Sequence, residues 1–318
     1  MTPRPAPVTD DASRNMAGAK PAPSKSAPSK PAPGKPAKSP SARVAVTPPK
    51  PIEVSADVPA MLQAAGLKAT AIDTLMERAS QALVACDYTR AQEMCMRALD
   101  KSLASFDFER ASRAIMPLQE ARRQLRHLAT DAAEEGTQRL HVLSALPKDA
   151  STLASGFYLL EPPLVGIDAS SLRALAQRAK AATLVLVKEP TTKAGLWPIV
   201  GVGTGEPFPV VVRVLVQPPA SLAGVKTLRD ATAAQLQSSD LVAWMLAAQE
   251  KLGDAAIARV KPEWPADHRV FDFAELLAAV PDHEKLAQAF AASCREAAKA
   301  PRSTLPRRRG VAENEHSF

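Results

Sequence analysis

The sequence predicts an α+β fold: a helical N-terminal hairpin or bundle, a small mainly β unit, and a helical C-terminal portion, between disordered termini. Three observations lead there. Apolar residues recur at helical spacing over 70–136 and again from Leu228 onward. Between 156 and 216 the apolar runs are short, rich in valine, and bounded by Gly and Pro. The first fifty-two residues carry thirteen prolines and no Phe, Tyr, Trp or Leu, with Ile52 the first isoleucine. The expected division is therefore 1–52, 53–136, 137–225, 226–300 and 301–318.

Residues 1–52 have too little apolar surface to offset the entropy of ordering, so a disordered, extended, polyproline-like arm is expected. The arm holds nine Lys/Arg and two Asp/Glu, a net of +7. The whole chain holds 40 and 33, which leaves 31 of each sign in the remainder. The basic character thus belongs to the arm, and the body gives no reason to expect a basic face.

Within 53–136, Ser55 or Asp57 can cap a short helix ending at Gly66. A second helix is expected over 70–85, with Ile72, Leu75, Ala79, Ala82 and Leu83 inward. Asp87 can cap a third, with Tyr88, Ala91, Cys95, Ala98, Leu99 and Leu103 on its inner face. Asp107 can cap a fourth that stops at Gly136, with a stripe through Phe108, Ala111, Ile115, Leu118, Leu125, Leu128 and Ala132. Pro117 falls inside that stripe and should kink or split the helix.

The next segment reads strand (156–160), helix (169–180, capped by Asp168 or Ser170), then strands near 183–187, 198–202 and 209–216. Beyond it, Leu241, Trp244, Met245, Ala248 and Leu252 mark a helix ending near Gly253. Phe273, Leu276, Leu277, Leu286, Phe290 and Cys294 add core positions, and from Pro301 the chain should be disordered.

No motif on the chain carries recognisable chemistry. Gly201-Val-Gly203-Thr-Gly205 leads through Pro207 and Pro209 into a strand rather than a helix, so it reads as a glycine-rich turn, not a phosphate cradle. Asp282-His283-Glu284 follows Pro281 and reads as a helix start. Asp267 and His268 read as a loop pair. Cys86, Cys95 and Cys294 lack disulfide or zinc spacing and read as packing residues of a protein in a reducing cytoplasm. Arg122, Arg123, Arg126 and His127 share one side of the fourth helix, where an anion or partner could be gripped, although Glu120 beside them favours a solvated face. No catalytic, cofactor or metal residue is assigned.

Leu75, Ala79, Asp87, Tyr88, Ala91, Cys95, Ala98 and Leu99 together resemble a tetratricopeptide-type helical hairpin over about residues 71–104. That resemblance implies two helices packed closely through small residues. The phrase Asp107-Phe-Glu-Arg-Ala echoes Asp87-Tyr-Thr-Arg-Ala at a spacing of twenty rather than 34, so an array is not implied. Asp107 to Arg123 resembles a stretch of uncharacterised bacterial proteins, which implies no function. In composition alone, the arm resembles the tails of nucleoid-associated and histone-like proteins.

The leading expectation is a non-catalytic interaction protein, an adaptor or scaffold with an unidentified protein partner and no membrane segment. One rival is weak, nonspecific nucleic-acid binding through residues 1–52. A second is an enzyme with a site in the β unit near Glu189, Lys193 and Glu206.

Overall fold

The computed structural model describes residues 70–203, 209–225 and 227–305. The basic arm, the helix expected after Ser55 or Asp57, Gly205, Glu206 and residues 306–318 lie outside the described residues. Within them are eight α-helices and one five-stranded sheet, an α+β fold as expected.

The first three helices follow from their caps. Helix α1 (Ala71–Val84) starts at a capping box in which Thr70 and Asp73 exchange hydrogen bonds. Helices α2 (Tyr88–Ala104) and α3 (Phe108–Glu135) start where Asp87 and Asp107 accept the N–H of Arg90 and Arg110. The residue before each cap, Cys86 and Phe106, is left-handed at φ 56° and 57°. In both joints the aspartate N–H reaches back to the helix just ended, Asp87 to Ala82 O and Asp107 to Ser102 O. The twenty-residue echo in the sequence is thus one interhelical joint used twice. Cys86, expected to pack in the core, sits exposed at the first of them.

Helix α3 is not split at Pro117. The missing N–H frees the carbonyl of Arg113, which lies on the exposed side where water can reach it. Meanwhile Ala114, Ile115, Leu118 and Ala121 bury on the other side and hold both halves to one core. Beyond the proline the inner face differs from the expected one. Ala121, Arg122, Ala129 and Ala133 are buried, while Leu128 is 47 % exposed. This half of α3 packs against both the sheet and the last helix, and the face it buries is mostly alanine, with Leu125 half-buried at its edge.

The sheet runs in order β1 (His141–Leu143), β2 (Gly156–Leu160), β3 (Thr183–Lys188), β4 (Trp197–Val202), β5 (Val211–Val216). The first three strands are parallel and the last two antiparallel to their neighbours. Strand β1 is too short to carry a period and was not expected. Strands β2 and β3 are buried almost throughout because both faces are covered. Phe157, Leu159, Leu184 and Leu186 face the large core shared with α1–α3 and the C-terminal helices. Tyr158, Leu160, Val185 and Val187 face helix α4 (Asp168–Ala179). No side chain caps α4. Its Asp168 carboxylate instead accepts from Val165 N–H in the preceding turn.

After the four-residue helix α5 (Ala233–Leu236), helix α6 runs Asp240–Ala258, straight through Gly253 instead of ending there. Helices α7 (Ala266–Ala279) and α8 (Glu284–Ala297) complete the fold. Asp267 and His268 open α7 rather than sitting in a loop. Residues 301–305 form no regular element. Even so, Ser303 donates to the Asp267 carboxylate, and the Arg302 guanidinium lies 3.6 Å over the Phe106 ring. No helix among the described residues is long and apolar enough to cross a membrane.

Candidate functional site

Arg122, which is buried, and Arg173, which is half-buried, define the most suggestive place among the described residues. Arg122 comes from the middle of α3, where its neighbours Ala121 and Leu118 are core residues, so its own position is dragged inward. Its Nη1 donates to Pro281 O at 3.0 Å, and its Nη2 lies 3.3 Å from the sulfur of Met96. Arg173 comes from α4, one residue after the buried Leu172, and its Nη2 donates to Val185 O at 3.0 Å. The Arg173 Nε is sealed from solvent and has no acceptor. Both side chains open on a cleft of about 430 Å³ whose walls are α2, α3, α4 and the turn between α7 and α8.

Electrostatics at the cleft follow from this burial. Desolvation pushes the Arg122 pKa down to about 10, the attraction of Asp282 opposes it, and the like charge of Arg173 adds to it. Arg173 is lowered by burial in the same way, again opposed by Asp282. Both remain protonated near neutrality. The cleft therefore holds two desolvated cations with one nearby carboxylate, while Glu93 and Arg97 at its rim pair with each other at 3.8 Å.

A second constellation surrounds His283. Gly253 of α6 leaves a notch into which the imidazole inserts, and a Cβ there would lie 2.0 Å from His283 Cγ. The ring is fully buried, and its Nδ1 accepts the Leu286 N–H to cap α8. In the neutral ring this places the proton on Nε2, which faces Glu250 Oε2 at 3.3 Å and Asp254 Oδ1 at 3.5 Å. Glu250, Asp254 and His283 have their ligand atoms within 4.8 Å of one another. A metal would need the Nε2 lone pair, which this tautomer does not offer. The Lys285 ammonium, 3.4 and 3.3 Å from the same two carboxylates, already supplies a cation. The cluster is accordingly a capped ion network.

Compared with known proteins, the chain matches no family model, no curated protein and no solved structure. Function is therefore argued from the site alone.

Of the three arginines singled out in the sequence, the structure brings only Arg122 to the cleft. Arg123 stays exposed and pairs with Glu120. Arg126 turns the other way, to Asp282 O and the Glu284 carboxylate. Asp282-His283-Glu284 does open a helix, although the cap is the imidazole rather than an acid. Arg173 carried no local signal, because its pairing with Arg122 spans about fifty residues of sequence. Around the β unit, Glu189 is committed to a bidentate pair with Arg213 at 2.7 Å, and Lys193 lies exposed in the β3–β4 connection. Lys188 and Glu161, both buried at the carboxyl ends of β3 and β2, interact with each other. Glu161 accepts from Leu228 N–H, and Lys188 lies 5.1 Å over Trp197. Gly201 and Gly203 face α7, where a Cβ would strike the carbonyls of Ala279 and Glu275 at 2.7 and 2.4 Å. Those two glycines serve close packing. Cys95 and Cys294 are fully buried, with thiols pushed up to about 12 by burial.

Proposed function

We propose that this is a non-catalytic interaction protein, an adaptor that receives an extended segment of a partner protein in the cleft between the tetratricopeptide-like hairpin and α4. The observation that carries this reading is the cleft itself. One wall is the hairpin helix α2 with Thr89, Gln92 and Met96, the other is α4 with Ser170, Ala174 and Gln177, and the floor holds Arg122 and Arg173. Hydroxyl and amide side chains alternating with small apolar ones suit a peptide backbone and its side chains. The covalent chemistry of an enzyme has less support: the buried thiols are held protonated, and His283 is enclosed by its cap and its carboxylates. Nucleic-acid binding would rest on residues 1–52, outside the described residues.

The test is selection of peptides from a random dodecapeptide library on the full chain, followed by affinity measurement against Ala174→Trp. Ala174 is exposed on the cleft wall, so the indole fills the cleft without disturbing the core. Selected peptides should lose at least about tenfold in affinity. Selection of no peptide, or peptides indifferent to Ala174→Trp, refutes the reading.

A further inference from the structure

We infer that the floor of the cleft is an anchor for a single carboxylate carried on an otherwise apolar group, held between the guanidinium groups of Arg122 and Arg173. The inference rests on reading the cleft as a binding site and adds the chemistry of what it takes. Charge decides the valence. With Glu93 and Arg97 paired, Arg122 and Arg173 face one carboxylate, Asp282, which leaves a residual charge of +1. One monoanion neutralises it, whereas a phosphate dianion would leave excess negative charge in a desolvated place.

Geometry decides the group. A guanidinium presents its donors as a planar fork that a carboxylate matches with two oxygens. Arg173 Nη2 and Arg122 Nη1 are already engaged by backbone carbonyls, which fixes both planes. Arg173 Nε is sealed and has no acceptor, so the fork this side chain offers to a ligand is its pair of Nη groups. Surroundings decide the body. Met96, Leu125, Ala174, Ala181, Ala278 and Pro281 supply apolar surface beside the polar Thr89, Gln92, Ser170 and Gln177, which gives an alkyl chain or an apolar peptide flank a place to lie.

The probe is octanoate, followed by saturation-transfer NMR on the full chain, with octanamide and inorganic phosphate beside it. Octanoate should bind. Octanamide should not, and phosphate should not displace octanoate. Arg173→Gln should weaken octanoate at least about tenfold, and Arg173→Lys, which keeps the charge but loses the fork, should weaken it less. Should Arg173→Gln unfold, Ser170→Glu serves instead. It sets a carboxylate at an exposed rim position and should weaken octanoate without touching the core. Equal binding of octanamide, displacement by phosphate, or indifference to these substitutions overturns the inference.

The source of the carboxylate is assigned with the library-selected peptides. Loss of binding on amidating the C-terminus indicates a terminal carboxylate. Loss on exchanging Asp and Glu for Asn and Gln indicates a side chain, and loss on neither counts against the anchor. Octanoate binding without peptide binding would leave the anchor standing and remove the adaptor reading. Peptide binding that requires no carboxylate would do the reverse.

Discussion

At the scale of single residues, helices α2, α3 and α8 each begin on a side chain that accepts the N–H three residues on. Asp87 and Asp107 were legible because a cap is a local event: a short acceptor, a free N–H three residues on, and a helical run behind it. Arg122 was not legible as buried, because its surroundings come from Met96, Pro281 and Arg173, all distant in sequence. The same holds for Gly253, which looked like a helix end and is a socket for His283. Gly253→Ala should displace the imidazole and cost about 1–3 kcal/mol, measured by urea unfolding. His283 also makes a pH prediction. Burial holds its pKa below the ordinary 6.5, against the pull of Glu250 and Asp254 and with the push of Lys285. The unfolded chain therefore binds a proton first as pH falls. The stability from the neutral ring is full above about pH 6.5 and is lost as pH drops through the lower folded value. His283→Asn keeps a capping side chain without the titration, so its stability should fall less steeply between about pH 6.5 and 5. Parallel pH profiles would refute the assignment. His141, also lowered by burial, titrates equally in both proteins and cancels.

At the scale of elements, existence and type were well marked and phase was not. The strands at 156–160 and 183–188 were readable as short valine- and leucine-rich runs. The three-residue β1 was not, since its only support is pairing with β2. In α3, leucines at 125 and 128 suggested the inner face; Leu125 does pack against the core, but Leu128 is exposed and Ala129 and Ala133 are buried instead. The tetratricopeptide-like hairpin can be tested at this scale. Ala91 is fully buried against Ala82 and Ala121, where α1, α2 and α3 meet, whereas Arg90 beside it is exposed. Ala91→Leu should overpack that junction and cost about 1–3 kcal/mol. Arg90→Ala should stay within about 0.5 kcal/mol. A larger loss for Arg90→Ala in urea unfolding would show that the face assignment is wrong. Away from that junction, the N-terminal ends of α1 and α3 are tied by Arg110, whose Nε lies 3.0 Å from Asp73 and holds that carboxyl down to about 2.

At the scale of the whole molecule, one apolar core runs from Leu75 in α1 through Leu184 in the sheet to Ala297 in α8. Composition suggested separate helical and β regions, because it records where each element begins rather than what it packs against. Arg122 stands where this arrangement converges, touching α2 through Met96 and the α7–α8 turn through Pro281, with Arg173 of α4 within electrostatic reach. A protein selected for stability alone has no use for a cation there. A fall in pKa from 12.5 to about 10 means that the folded state disfavours the charge by about 3 kcal/mol. Methionine has similar reach and needs no hydration, and Asp282 is only half-buried, so it keeps some contact with water without the guanidinium. Arg122→Met should therefore leave the unfolding midpoint unchanged or raise stability by about 1–3 kcal/mol, while abolishing octanoate binding. A loss of more than about 2 kcal/mol in chemical denaturation would instead make Arg122 a structural tie. On the expected outcome, stability and binding oppose each other at this one position, and the fold keeps an arginine that its own packing would discard.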